Sequence, residues 1–154
     1  MGINQISTSI QNIMKTLKAM MVGLALLVVC GAANATDTGA AKLTKNYAIN
    51  TYLDAMIRGQ LDGLDNVLAP NADFSMLRGK QLVSYGKKQM MQYLQENKNV
   101  EQTCDISTSV VESNADISLV KVDMKFEGFV RSNYITLANT GDGWKITNVY
   151  SVFK

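Results

Sequence analysis

The chain contains no histidine, a single proline and only two cysteines among its 154 residues. Without histidine there is no Ser-His or Cys-His nucleophile pair, and the commonest zinc ligand is missing. Cys104 and scattered carboxylates make a poor metal set, so neither a metal nor a cofactor is expected. A P-loop, a dinucleotide fingerprint and a calcium loop are also lacking; Asp62-Gly63-Leu64-Asp65 is too short for the last and reads as the start of a helix. The longest apolar run, Ala19 to Ala33, is 15 residues, short of the roughly 20 that span a bilayer. What is present, 47% hydrophobic and 18% charged residues, belongs to one folded globular domain.

The first 35 residues have the form of a secretory signal peptide. Lys15 and Lys18 make a basic segment, Ala19 to Val29 an apolar one, and Ala33-Asn34-Ala35 the small residues at a cleavage site. The expectation is export to the periplasm or the medium with cleavage near Ala35. Lipid anchoring at Cys30 is a second reading, weakened by Val29 where a small residue is usual, and translation starts at either Met1 or Met14. Cleavage removes two lysines, leaving 13 basic against 13 acidic residues. A neutral mature chain gives no reason to expect nucleic acid or an anionic membrane surface as partner. It also leaves Cys104 as the single cysteine, which excludes an internal disulfide and suits a buried, inert thiol.

Residues 36–42 read as a flexible polar tail and 43–154 as the domain. Ile49, Tyr52, Leu53, Met56 and Ile57 recur at helical spacing and define the buried stripe of a first helix, which Gly59 ends. Leu61, Leu64, Val67 and Leu68 make a second short helix, stopped by Pro70, with Asn71-Ala72-Asp73 turning into an extended segment. Phe74 to Leu77 and Gln81 to Tyr85 form a hairpin or bent edge strand around Arg78-Gly79-Lys80. A third helix covers Lys87 to Glu96, with Met90, Met91 and Leu94 inward and Lys87 and Lys88 on a solvated face. The rest is strand in character. Cys104 to Val110 alternates; Val120, Val122, Met124 and Phe126 face one way against Lys121, Asp123, Lys125 and Glu127. Phe129 to Ala138 and Trp144 to Phe153 come next, separated by the turn Asn139 to Gly143. Helices first and then antiparallel strands indicate an α+β domain with helices on one face of a curved sheet.

The string Tyr52-Leu-Asp-Ala-Met-Ile-Arg-Gly59-Gln-Leu-Asp62-Gly63-Leu64, then Leu68-Ala-Pro-Asn-Ala-Asp73-Phe74, and finally Gly141-Asp-Gly-Trp144-Lys-Ile146 through Tyr150, resembles the nuclear-transport-factor-2-like superfamily, and within it the lumazine-binding-like branch most. The resemblance covers roughly Leu43 to Phe153. It implies a cystatin-like cone of three N-terminal helices packed on a strongly curved antiparallel sheet, enclosing a cavity and often pairing as a homodimer through the sheet. A preformed concavity of that kind suits a small apolar or heteroaromatic ligand.

The same resemblance speaks against an enzyme. Tyr52 stands seven residues before Gly59, where ketosteroid isomerases keep an oxyanion-stabilising tyrosine. Their general base, three residues before the glycine after the first strand, corresponds to Met76, and a thioether does not accept a proton. Their oxyanion aspartate corresponds to Tyr134 or Ile135. The reading is therefore a secreted or periplasmic non-catalytic ligand-binding domain, with Tyr52, Met56, Met76, Met90 and Tyr134 as pocket candidates. Two alternatives stand beside it: an isomerase-like or cyclase-like enzyme using Tyr52 with Asp54 or Asp73, and a protein-interaction module binding through its sheet face. Each candidate also has a plainer reading, Tyr52 and the methionines as core, Trp144 and Tyr150 as a packed closing strand rather than a stacking platform.

Overall fold

The computed structural model describes residues 37–154. The expected signal peptide, the two start sites and Cys30 all lie outside the described residues. The chain divides into Met1–Ala40 and Ala41–Lys154. At their junction a short helix, α1 (Asp37–Ala41), occupies what reads from composition as a polar tail. The other helices and the strands among the described residues belong to the second unit.

Helix α2 (Lys45–Arg58) begins where the Thr44 hydroxyl accepts the Tyr47 N–H at 3.1 Å, satisfying one of the free donors of a helix start. Gly59 ends it in the left-handed region at φ +61°. A Cβ at Gly59 would stand 2.5 Å from the Asn99 nitrogen, because the loop after the last helix is tied beneath this end. Asn99 N–H donates to Gly59 O at 3.1 Å and Gln102 N–H to Ile57 O at 2.7 Å, while Gln102 Nε2 donates to Met56 O at 3.0 Å. The buried stripe is Ala48, Ile49, Tyr52, Ala55 and Met56 with Thr51 and Ile57 beside it, so Leu53 sits at its margin. The two alanines, with no side chain beyond Cβ, let the helix backbone lie close on the sheet.

Helix α3 (Leu64–Val67) is one turn, entered through Gly63 at φ +80°, and strand β1 (Leu68–Arg78) starts directly after it. The expected helix to Leu68 is thus shorter, and Pro70 lies inside a strand. It is accommodated because the register against the neighbouring strand shifts between Leu68 and Asp73, so no ladder hydrogen bond needs the missing N–H. Strand β2 (Gln81–Gly86) returns in a hairpin, and α4 (Lys87–Glu96) comes next at the expected boundaries. Strands β3 (Asp105–Ser113), β4 (Ile117–Lys125), β5 (Val130–Thr140) and β6 (Gly143–Phe153) complete a curved six-stranded sheet of order β2-β1-β6-β5-β4-β3.

One feature of that order departs from the expected antiparallel arrangement: β1 and β6 pair in parallel, so the sheet is mixed. Register shifts within β1–β6, β3–β4 and β5–β6 supply the local kinks by which a sheet bends. Helices α2 and α3 pack on β6, and α4 packs on β1 and β2. Between them lies the core, with Val122, Ile135, Leu137 and Ile146 wholly buried. Strand β3 differs from the half-buried expectation. Ile106 and Val110 are 45% and 65% exposed, and Cys104 precedes the strand. As the outermost strand it has a neighbour on one side only, and open grooves separate it from α2.

Candidate functional site

The ends of β1, β2, β5 and β6 and the inner sides of α2 and α4 surround a cavity of about 420 Å³, lined by Met56, Met76, Arg78, Tyr85, Gln89, Met90, Tyr93, Arg131 and Phe153. Three of the sequence candidates, Met56, Met76 and Met90, come together in this wall. Met56 closes the α2 stripe, Met76 pairs with Val83 in the β1–β2 hairpin, and Met90 is inward on α4. Tyr93, 57% exposed, and Phe153, 45% exposed, flank the opening.

Tyr52 and Tyr134 are elsewhere. Tyr52 is 1% exposed in the core and does not line the cavity; its hydroxyl has no hydrogen-bond partner, which costs about 1–3 kcal/mol. Burial pushes its pKa up, opposed by the positive charge of Arg131, so the phenol stays neutral. Tyr134 alternates with the buried Asn133 and Ile135 and so faces away from the core, opposite Lys121 and Tyr150. On that outer face Lys121 Nζ and Asp123 Oδ2 pair at 2.6 Å, and Ser132 Oγ donates to Asp123 Oδ1 at 2.6 Å. These hydrogen bonds hold Asp123 below the usual carboxylate range, and the bond to Asp123 raises Lys121.

The carboxylates weighed as partners for Tyr52 are engaged outside the cavity. Asp54 pairs with Arg58 on α2, and Asp73 accepts the Ser75 hydroxyl at 2.8 Å. Cys104 is half-buried, its thiol raised by burial and then by Asp105. Trp144 lies under Lys45 Nζ, 4.8 Å from the ring centroid, and belongs to the α2 side of the sheet. Lys87 is not simply solvated: its Nζ reaches Asp65 O at 2.9 Å, Leu68 O at 3.3 Å and Asp65 Oδ1 at 3.0 Å, tying α4 to α3.

The residue that sequence reasoning missed is Arg131. Alternation along β5 places it on the same face as Asn133 and Ile135, pointing in. Its Nε donates to Asn133 Oδ1 at 3.0 Å and its Nη2 to Ser151 Oγ at 3.3 Å, while Ser151 Oγ donates to the same Asn133 oxygen at 2.7 Å. Asn133 is fully buried and Ser151 3% exposed. Phe153 lies beneath the guanidinium at 5.8 Å, next in a row with Phe129 and Phe126. The head group is therefore oriented by neutral groups.

Among the described residues no group of three or more histidine, cysteine, aspartate or glutamate side chains is placed to hold a metal ion, and no helix is long and apolar enough to cross a membrane. The family model described as "Putative lumazine-binding" matches residues 42–151. No curated protein matches the chain. Solved structures share the fold. An NTF-2 like protein of unknown function from Silicibacter pomeroyi has 18% identity and a TM-score of 0.61, over 78% of this chain and 99% of that one. A cystatin-like fold protein from Burkholderia xenovorans has 16% identity and a TM-score of 0.56, over 78% and 94%. A ketosteroid isomerase-like protein from Erwinia carotovora atroseptica has 15% identity and a TM-score of 0.55, over 70% and 92%. With α2 to α4 set on a bent six-stranded sheet and the family match running across nearly all of it, the chain belongs to the family described as "Putative lumazine-binding" and shares the fold of the NTF2-like proteins.

Proposed function

We propose that the protein is an exported, non-catalytic carrier or sensor of a small molecule, held in the cavity between α2, α4 and the strand ends. The observation that carries this is the cavity itself. Its volume lies in the range of small-molecule sites, and its wall combines three methionines and three aromatic rings with a few polar groups. Flexible thioethers adapt to a ligand of irregular outline. Met76 stands in that wall where the superfamily resemblance puts a general base, which supports binding over turnover. Export rests on the segment before Thr36, with the basic, apolar and small-residue order of a cleaved leader.

The test is thermal denaturation of the purified protein with lumazine, riboflavin and a steroid, all neutral probes. At least one should raise Tm in proportion to the logarithm of its concentration, since a ligand bound only by the folded state stabilises it. A flat response to every member, with no binding of the naphthyl compounds used below, would end this reading. Sequencing the amino terminus of protein recovered outside the cytoplasm should give Thr36; an intact leader on cytoplasmic protein would remove the export half.

A further inference from the structure

We infer that the ligand is an anion: a carboxylate or phosphate group attached to an apolar, ring-containing body, with the anionic group seated on Arg131. This deepens the ligand-binding reading and rests on it. A guanidinium has five N–H donors. Two of those on Arg131 are spent on Asn133 and Ser151, both neutral, which fix its plane and leave the others free. A planar fork held in this way matches two oxygens of a carboxylate or phosphate.

Charge accounting points the same way. Among the described residues the ion pairs are Asp54–Arg58, Asp65–Lys87 and Asp123–Lys121, and Arg131 is in none of them. The cavity wall holds two arginines, Arg131 and Arg78, and no aspartate or glutamate. An inward arginine ordinarily has a carboxylate beside it, because a charge withdrawn from water needs a counter-charge. Here the counter-charge is absent from the wall, and Arg131 itself lines the cavity. Arg78, exposed at the end of β1, adds a second positive charge at the opening, where it attracts an anion on approach. Tyr85 and Gln89 offer further hydrogen bonds, and Met56, Met90, Tyr93 and Phe153 enclose the apolar body.

The experiment compares 2-naphthoate, 1-naphthyl phosphate and the neutral 2-naphthamide by titration calorimetry on the purified protein, at low and at physiological salt. At least one anion should bind tenfold or more tighter than the amide. Arg131→Gln should abolish that preference, with an anion affinity loss of roughly tenfold to a hundredfold, while amide binding holds. Arg131→Lys should recover part of it, keeping charge without the fork. Should Arg131→Gln unfold, Arg78→Gln lies outside the buried hydrogen-bond network and should still cost the anion about threefold, mostly at low salt. Equal affinity for amide and anions would overturn the anion inference and leave ligand binding standing. Binding of a neutral probe from the thermal panel with no binding of either naphthyl anion would do the same. No response to any compound in either experiment would sink both.

Discussion

Strands β5 and β6 run side by side through two chemically different halves. At one end Ile135, Leu137, Ile146 and Val149 are sealed in the core, each no more than 1% exposed. At the other, on the same face, Arg131, Asn133 and Ser151 form a hydrogen-bonded cluster opening into a cavity. Backbone geometry is continuous across the boundary, so side-chain chemistry alone decides where the protein is solid and where it is hollow. The difference teaches that the apolar half holds the sheet together and the polar half is relieved of that task. It keeps an arginine whose head group is held by Asn133 and Ser151 beside the cavity.

Breaking the solid half should have the largest effect. Ile135→Ala removes a wholly buried side chain and should cost about 3 kcal/mol in urea denaturation, with 2-naphthoate affinity, corrected for the unfolded fraction, within twofold. A comparable affinity loss would mean that the halves are coupled. Gly59→Ala comes next, at about 2 kcal/mol. The new Cβ meets the Asn99 backbone, and left-handed φ disfavours alanine. Asn133→Leu should cost about 1–2 kcal/mol, since it strands Ser151 and Arg131 without their shared acceptor. Its larger signature should be calorimetric, a roughly tenfold loss of 2-naphthoate binding from a guanidinium no longer oriented. Unchanged binding would show that the fork needs no alignment.

The smallest effect lies on the outer face, outside both halves. Asp123 is held below its ordinary value of 3.8 by Lys121 first and then Ser132. A lowered folded pKa gives stability that is present above the unfolded value and is lost as pH falls through the folded one. Asp123→Asn should therefore lower Tm slightly near neutrality. The gap from the unaltered protein should close on acidification below about pH 4. A gap that persists in acid would assign the effect to packing rather than charge.

Much of the solid half is visible in the sequence. The α2 stripe, the Gly59 cap, the bounds of α4 and the alternation of β4 each arise from a local period or a local stop signal. Three features escape for physical reasons. Pro70 reads as a breaker, whereas a register shift lets a strand carry it, and that shift depends on β6, a neighbour at the far end of the chain. The alternation of β3 implies a covered face, but whether anything covers it is a tertiary matter. Ala48 and Ala55 carry little hydrophobic weight, yet they set how closely α2 lies on the sheet.

The cavity is divided in the same way. Met56, Met76 and Met90 come from the stripe, the superfamily register and the α4 period. Tyr134 fails to join them because one step along a strand reverses its face. By that same rule Arg131 shares a face with Asn133 and Ile135, and an inward arginine is the rarer, more informative observation. It is overlooked when every charged side chain is assigned to solvent.

The parallel pairing of β1 with β6 also governs how the protein is assembled in time. Strand β6 comes after every other strand in the chain, yet it sits between β1 and β5, joining the β1–β2 hairpin to the β3–β4–β5 meander. Until it is made, those two pieces have no strand in common, and neither Ser151 nor Phe153 is there to orient Arg131. Closing so distant a contact is slow. A growing chain therefore holds the hairpin and the meander as two separate pieces until β6 emerges to join them.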